Sequence, residues 1–240
     1  MGLMNTSLKL KNIDQAIQLI SRNKKLFIFD LDGTLYNQYK LRRFILSDLL
    51  RYYIRRPSKI KELYILYSFR KLREKYHGYC SADLDEEQYK WCAVKTNTKV
   101  EIIKKVIEKW IYNEPLKYLP RCIYPGIADL FAALRGKGIL IAVYSDYPVA
   151  AKLNALRLST NLVVSSTDAC IGCFKPSPKG INYICEVLSV PKEEVVFIGD
   201  RYSRDGLCAI NASVDYVLIP KNKARAIHKI NNLLKQLNNF

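Results

Sequence analysis

Five short apolar runs constrain the fold of this chain more than any other feature. Each run is continuously apolar and rich in branched and aromatic residues, which is typical of strands covered on both faces by helices. From residue 125 onward, segments of helix length separate the runs, and this alternation predicts a parallel sheet with right-handed crossovers. The runs are Leu26–Phe29, Ile139–Tyr144, Leu162–Val164, Val195–Ile198 and Tyr216–Ile219. The sequence therefore predicts an α/β fold.

One connection is too long to be a simple crossover. Residues 37–120 separate the first run from the second, and their apolar pattern is helical, so we expect an inserted subdomain there. The expected core then consists of residues 1–36 and 121–240. Two further helices are predicted within it, one at Asn12–Ser21 and one at 222–237, the second packing on the sheet.

The chain carries a formal net charge of +17. Such an excess is typical of proteins that bind nucleic acid, and it also suits a protein that binds phosphorylated metabolites. Every apolar run falls well short of the roughly 20 residues that span a bilayer, and residues 1–14 lack the uninterrupted apolar core of a secretion signal. We therefore expect a cytoplasmic protein with no membrane partner, and nucleic acid stays open as a partner.

The cysteines are expected to be free. Seven of them, in a chain with no predicted export signal, favour reduced thiols over a disulfide framework. Cys170 and Cys173 have the spacing of a metal-ligating or redox pair, but the sequence has no second such pair and only two histidines, His77 and His228. We therefore expect Cys170 and Cys173 to be plain buried thiols.

Polar side chains follow three of the apolar runs, at the point where each run ends. In open parallel sheets, ligands bind beyond the carboxyl ends of the strands, so these side chains are expected to meet in one crevice. Crowded carboxylates repel and raise one another's pKa unless a cation lies among them, and Mg²⁺ with oxygen ligands is the simplest such cation. The residues are Asp30 and Asp32 after the first run, Ser145 and Asp146 after the second, and Asp200 and Asp205 after the fourth.

Four ordered segments contain these residues: FDLDGTLY (29–36), VYSDYP (143–148), FKPSPKG (174–180) and FIGDRYSRDG (197–206). In order and spacing they resemble the four motifs of the haloacid dehalogenase-like superfamily of phosphohydrolases. The resemblance implies a Rossmann-like parallel-sheet core flanked by helices, with a helical cap inserted between the first and second motifs. It also implies a Mg²⁺-dependent phosphatase that hydrolyses a small phosphomonoester through an aspartyl-phosphate intermediate. A phosphomutase on the same fold and a nucleic-acid-binding protein stay open as alternatives.

The resemblance implies a role for each residue near the reacting phosphoryl group. Asp30 would be the nucleophile, and Asp32 would give its proton to the leaving oxygen and then take one from water. Ser145 would hydrogen-bond a phosphoryl oxygen, helped by the backbone N–H of Asp146. Lys175 would offset the negative charge of the nucleophile and of the transferring group.

A Mg²⁺ site is implied by the same resemblance. Asp30 and Asp200 would ligate the ion through their carboxylates, and Asp205 would ligate it or orient a metal-bound water. Asp32 would contribute its backbone carbonyl. The presence of an acid at Asp32 favours phosphoryl-ester chemistry, because the dehalogenase branch of the superfamily lacks an acid at that place.

The cap is expected to determine the substrate, a small phosphorylated metabolite such as a sugar phosphate or a nucleotide. Arg42 and Arg43 are candidate substrate-binding residues at its start, with a solvated helix face as the alternative interpretation. Aromatic residues also recur in the cap at helical spacing, and we interpret them as core rather than as a stacking platform. They are Tyr53, Tyr64, Tyr67 and Trp110.

Overall fold

The computed structural model describes residues 24–238, with side chains described through Lys235. Its centre is a sheet of five parallel strands in the order β3-β2-β1-β4-β5. The strands are β1 (Leu26–Phe29), β2 (Leu140–Ser145), β3 (Leu162–Ser165), β4 (Val195–Gly199) and β5 (Asp215–Leu218). The predicted α/β fold is therefore confirmed, while the helix predicted at Asn12–Ser21 lies outside the described residues.

Nine α-helices surround the sheet or build the insert within residues 24–238. Alternate residues of β1 explain why the strands are continuously apolar, because Phe27 and Phe29 pack into the cluster on one face while Leu26 and Ile28 pack into the cluster on the other. The helices are α1 (Gln38–Ile54), α2 (Glu62–Lys75), α3 (Leu84–Thr96), α4 (Val100–Ile107), α5 (Ile127–Gly136), α6 (Ala150–Leu156), α7 (Lys179–Val187), α8 (Leu207–Ala212) and α9 (Lys223–Asn238). The predicted C-terminal helix is α9, whose Ile230 and Leu233 are buried in the first of these clusters.

The long connection between β1 and β2 is helical, as predicted. The chain leaves the core at Tyr36, which forms an isolated antiparallel bridge with Ile123 where the chain returns. Asn37 then begins α1, because its side chain accepts a hydrogen bond of 2.9 Å from the backbone N–H of Lys40. Helices α1–α4 and a short π-helical segment at Glu108–Asn113 enclose a separate apolar cluster. The helical insertion is confirmed, and its exact domain bounds at 37–120 stay a prediction.

Two predictions about the insert and its surroundings are wrong in part. Tyr53 and Trp110 are core residues, but Tyr64 and Tyr67 are 48% and 62% exposed, because only one face of α2 meets the cap interior. Cys173 forms a disulfide with Cys80 rather than remaining a thiol, because the two residues face each other across an isolated antiparallel bridge. Cys170 is a free cysteine, but it is exposed rather than buried.

Among the described residues, every helix is too short or too polar to cross a lipid bilayer.

Candidate active site

The strand ends bring the predicted polar residues into one cavity of about 480 Å³. The central strand β1 lies between β2 and β4 in matched register, with Phe29 paired to both Val143 and Ile198. The residues that follow these strand ends are therefore neighbours, as the sheet topology requires. Eight predicted residues line the cavity: Asp30, Asp32, Arg42, Ser145, Asp146, Lys175, Asp200 and Asp205.

Three carboxylates form a cluster suited to a cation. Asp30, Asp200 and Asp205 each offer an oxygen within 4.8 Å of the others. Burial raises the pKa of Asp30 to about 8, with the charges of Asp205 and Asp200 adding to the effect and Lys175 opposing it. Burial, and then the charge of Asp205, raises the pKa of Asp200 to about 6. A hard divalent ion fits this all-oxygen donor set and would offset the repulsion within it.

Lys175 is the cation that the protein itself supplies to the cluster. Its buried ammonium donates hydrogen bonds of 2.7 Å to Asp30 Oδ1 and 2.8 Å to Asp205 Oδ1. Burial opposes its charge, but the carboxylates of Asp205 and Asp30 outweigh burial and hold the pKa of Lys175 well above its ordinary value. Lys175 therefore stays protonated between two of the three cluster members.

Asp32 faces a different set of partners. Lys152 donates hydrogen bonds of 2.6 and 2.8 Å to its two carboxylate oxygens, and the hydroxyl of Tyr36 donates to Oδ1. Burial opposes ionisation, but the charge and hydrogen bond of Lys152 outweigh it and lower the pKa of Asp32 below its ordinary value. The carboxylate of Asp32 is therefore outside the three-acid cluster, and ligation through its backbone carbonyl stays a prediction.

Sequence reasoning missed Lys152. It is a buried lysine on α6, a short helix that is otherwise largely apolar, and it lies 120 positions from Asp32 in sequence. The only available signal was a single basic residue in the apolar segment that follows the second motif. That signal identifies an unusual lysine but not its partner.

Ser145 and Asp146 are adjacent in sequence, but only Asp146 uses its side chain to hold other segments in place. Ser145 is buried at the end of β2, and its Oγ accepts a hydrogen bond of 3.2 Å from the backbone N–H of Tyr147. The carboxylate of Asp146 accepts from Ser166 Oγ at 2.7 Å and from the backbone N–H of Lys175 at 3.0 Å. The Asp146 side chain therefore holds the lysine-bearing segment against β2, which leaves only its backbone for the predicted contact with substrate.

A buried arginine in the fourth motif joins the core to the cap, and the sequence analysis did not find it. Arg204 donates a hydrogen bond of 3.0 Å to the backbone oxygen of Lys175 and one of 2.8 Å to Glu74 Oε2 on α2. Arg201 also donates to Glu74, at 2.9 Å. Burial opposes ionisation of Glu74, but the hydrogen bonds from Arg201 and Arg204 outweigh it and lower the pKa of Glu74 to about 2. The cap is thus attached to the core by ionic hydrogen bonds beside the site.

Two glycines are required by close approach to the acids. Gly33 has a φ of +106°, and a Cβ there would lie 2.6 Å from Asp200 Oδ2. A Cβ on Gly199 would lie 2.3 Å from the Cβ of Asp205. Any larger side chain at either position would displace a member of the cluster.

The two candidate arginines of the cap differ in position. Arg42 lines the cavity, and its guanidinium donates a hydrogen bond of 2.9 Å to Gln38 Oε1. Arg43 is exposed and does not line the cavity, because successive residues of an α-helix point about 100° apart. Of these two arginines, only Arg42 is therefore placed to contact a ligand in the cavity.

The family model of the haloacid dehalogenase-like hydrolases matches residues 24–212. The chain belongs to this family. The matched residues include all four motifs, so the family resemblance stated from the sequence is confirmed. A search of curated proteins found no match.

Several solved structures share the fold of this hydrolase. A 2-haloacid dehalogenase from Pseudomonas syringae pv. Tomato DC3000 is 17% identical, with 81% of this chain and 86% of that chain covered and a TM-score of 0.56. A HAD phosphatase from Thermococcus onnurineus is 20% identical, with 82% and 87% covered and a TM-score of 0.55. CbbY from Rhodobacter sphaeroides, in complex with phosphate, is 20% identical, with 83% and 88% covered and a TM-score of 0.51. At these identities the likeness concerns the fold alone.

Proposed function

We infer that this hydrolase is a Mg²⁺-dependent phosphatase that acts on a phosphomonoester through a phosphorylated Asp30. The main observation in support is the pairing of two acids in opposite electrostatic settings within one cavity. Asp30 lies in the three-acid cluster beside Lys175, whereas Asp32 lies outside it against Lys152. The pKa of Asp30 is raised and that of Asp32 is lowered, so these roles require a cation to ionise Asp30 and a bound phosphoryl group to protonate Asp32.

In the first step, a carboxylate oxygen of Asp30 attacks phosphorus and the bond from phosphorus to the leaving oxygen breaks. Lys175, at 2.7 Å from Asp30 Oδ1, stabilises the negative charge that gathers on the phosphoryl oxygens. Within the described residues the buried hydroxyl of Ser145 donates no hydrogen bond, while its oxygen accepts one from the backbone N–H of Tyr147, so the hydroxyl would donate to one of those oxygens. The product of this step is an aspartyl-phosphate and a free alcohol.

Proton transfer belongs to Asp32. The negative charge of a bound phosphoryl group raises the pKa of Asp32 by like-charge repulsion. Asp32 therefore takes up a proton when the substrate binds. Asp32 gives that proton to the leaving oxygen, and ionised again beside Lys152, it accepts one from the water that attacks the aspartyl-phosphate. Lys152 and Tyr36 hold the carboxylate in one orientation throughout.

A divalent cation would be held by Asp30, Asp200 and Asp205 and, when bound, would supply charge stabilisation to the transferring phosphoryl group. An acid at Asp32 supports phosphoryl-ester chemistry over dehalogenation. The complex of CbbY with phosphate shows that a protein of this fold binds that product group.

Phosphate release from p-nitrophenyl phosphate and a panel of phosphomonoesters tests the proposed function, with Mg²⁺ or with EDTA. We expect turnover that requires Mg²⁺ and is abolished in Asp30→Asn. Asp83→Asn is the matched control, because Asp83 is exposed and makes no capping hydrogen bond at the start of α3. Turnover by Asp30→Asn that equals the control would exclude the proposed chemistry. Activity that appears only with a bisphosphate activator would instead identify a phosphomutase.

A further inference from the structure

A second, apolar groove lies beside the catalytic cavity on the cap, and we call it the cap groove. It has a volume of about 410 Å³, and it shares Ile45, Leu49, Arg70 and Glu74 with the wall of the catalytic cavity. Helices α1 and α2 form its sides, and its remaining apolar lining consists of Leu63, Leu66, Tyr67 and Trp110. The cap groove therefore adjoins the cavity that would hold the phosphoryl group of a ligand at the strand ends.

The segment that supplies most of the groove's lining is unusually rich in exposed apolar residues. Within residues 24–238, fifteen large apolar side chains are exposed, and seven of them lie between residues 46 and 67. Leu46 at the cavity is 56% exposed, and Leu63 and Tyr67 in the groove are 37% and 62% exposed. Exposed apolar residues are normally scattered, and a cluster of them marks a binding surface.

Positive charge is placed where the cavity and the groove meet. Arg70 lines both, and the described part of the chain offers it no hydrogen bond or ion pair. Lys71 follows it in the groove. Three acids lie on the junction or in the surrounding segment, and all have partners. Glu74 lines both the cavity and the groove and accepts from Arg201 and Arg204, while Asp48 accepts from the hydroxyl of Tyr118 and Glu62 from that of Tyr53. Arg70 therefore leaves unpaired positive charge at the junction, with the apolar surface of the groove beyond it.

We propose that the substrate is an amphiphile: a phosphomonoester whose leaving group carries a hydrocarbon chain, with the phosphoryl group at Asp30 and the chain in the cap groove. This inference rests on the proposed phosphatase function and deepens it. In the cap groove a hydroxyl-rich leaving group would lie against Ile45, Leu49 and Leu66, whose side chains offer no hydrogen bonds to replace those to water. Transfer of a hydrocarbon chain from water to the same surface lowers the free energy.

Alkylphosphonates test the inference without turnover, since their carbon–phosphorus bond is not a phosphoester. Calorimetry would compare butylphosphonate with dodecylphosphonate, below micelle-forming concentration, on the full chain with and without Mg²⁺. A fully buried methylene contributes about a fourfold gain in affinity, and because the groove is open on one side we expect about a 100-fold gain over eight methylenes. Equal affinities would overturn the inference. This holds also if the affinities are equal because a second copy or another segment of the polypeptide fills the groove.

A matched pair of variants on α2 tests where the hydrocarbon chain of the ligand binds. Tyr67 lines the groove, whereas Tyr64 is 48% exposed on the same helix and does not. We expect Tyr67→Asn to weaken dodecylphosphonate binding at least about fivefold without changing butylphosphonate binding, and we expect Tyr64→Asn to change neither. Equal losses in the two variants would refute the assignment of the groove.

Turnover separates failure of this inference from failure of the proposed function. Efficient phosphate release from short, hydrophilic esters, with no preference for dodecyl phosphate, would retain the phosphatase and reject the amphiphile. Chain-length-dependent phosphonate binding without release from any ester would retain the groove as a hydrocarbon site and reject the phosphatase.

Discussion

Replacing Lys152 by methionine tests the ion pair that holds Asp32. The Lys152 ammonium lies 2.6 and 2.8 Å from the two Asp32 oxygens, and the two side chains are only 8% and 14% exposed. Removing one partner of such a buried pair leaves the other charge without compensation and costs about 3–5 kcal/mol. We therefore expect Lys152→Met to lower the free energy of unfolding by about that amount at pH 7, a large share of the roughly 5–15 kcal/mol of a typical domain.

The sign of the pH dependence follows from the lowered pKa of Asp32. A depressed carboxyl pKa contributes stability above the ordinary Asp value of about 3.9, and this stability is lost as the pH falls through the folded-state value. In Lys152→Met, burial prevails and the pKa of Asp32 rises, so the carboxyl takes up a proton instead of remaining an unpaired charge. The difference between parent and variant should therefore shrink as the pH is lowered from 7 toward 4.

Urea unfolding of the Mg²⁺-free protein at both pH values measures this difference. Lys25→Met is the control, because Lys25 makes a bridge of similar length, 2.9 Å to Glu194, but its side chain is 71% exposed. An exposed pair of this kind is worth less than about 1 kcal/mol. A loss in Lys152→Met that does not exceed the loss in the control, or that does not vary with pH, would refute the reasoning.

Two further predictions concern the metal site. Gly33→Ala should weaken Mg²⁺ binding at least about tenfold, because its Cβ would lie 2.6 Å from Asp200 Oδ2. Gly138→Ala should leave binding unchanged, because Gly138 also has a positive φ but has open space around it. Calorimetric titration of both variants with Mg²⁺ measures the difference. The raised pKa values of Asp30 (about 8) and Asp200 (about 6) stabilise the metal-free fold at low pH and cease to do so as the pH rises through each value. Since Mg²⁺ competes with those protons, the thermal shift that it produces should be larger at pH 8 than at pH 5, and equal shifts would contradict the three-acid site.

The fold could be predicted from sequence because each strand of a parallel sheet covered on both faces is a short, continuously apolar run. Apolar runs predicted at Ile139–Tyr144 and Tyr216–Ile219 correspond to strands at Leu140–Ser145 and Asp215–Leu218, each displaced by one residue. The acids of the site could be predicted for a related reason. A residue that directly follows a parallel strand lies at a known edge of the sheet, so topology alone brings Asp30 and Asp200 together.

The remaining features depend on contacts that no local pattern encodes. Lys152 is paired across 120 positions and Cys80 across 93, and each pairing is set only when cap, sheet and crossover helix pack together. Helical spacing predicted Tyr64 and Tyr67 of α2 as core residues but did not reveal which face would be covered, and both are exposed. As a result, Tyr67 was assigned to the core, whereas it lines an open groove beside the catalytic cavity.

Chemical trapping of the phosphorylated residue tests most directly whether Asp30 accepts the phosphoryl group. The protein would be mixed with a hydrolysed ester and Mg²⁺, quenched in acid during turnover, reduced with borohydride and mapped by peptide mass spectrometry. We predict that reduction converts Asp30 alone, and only in samples that contained both ester and Mg²⁺. Phosphate release in the same samples with Asp30 unmodified, or with the label on another residue, would contradict the mechanism.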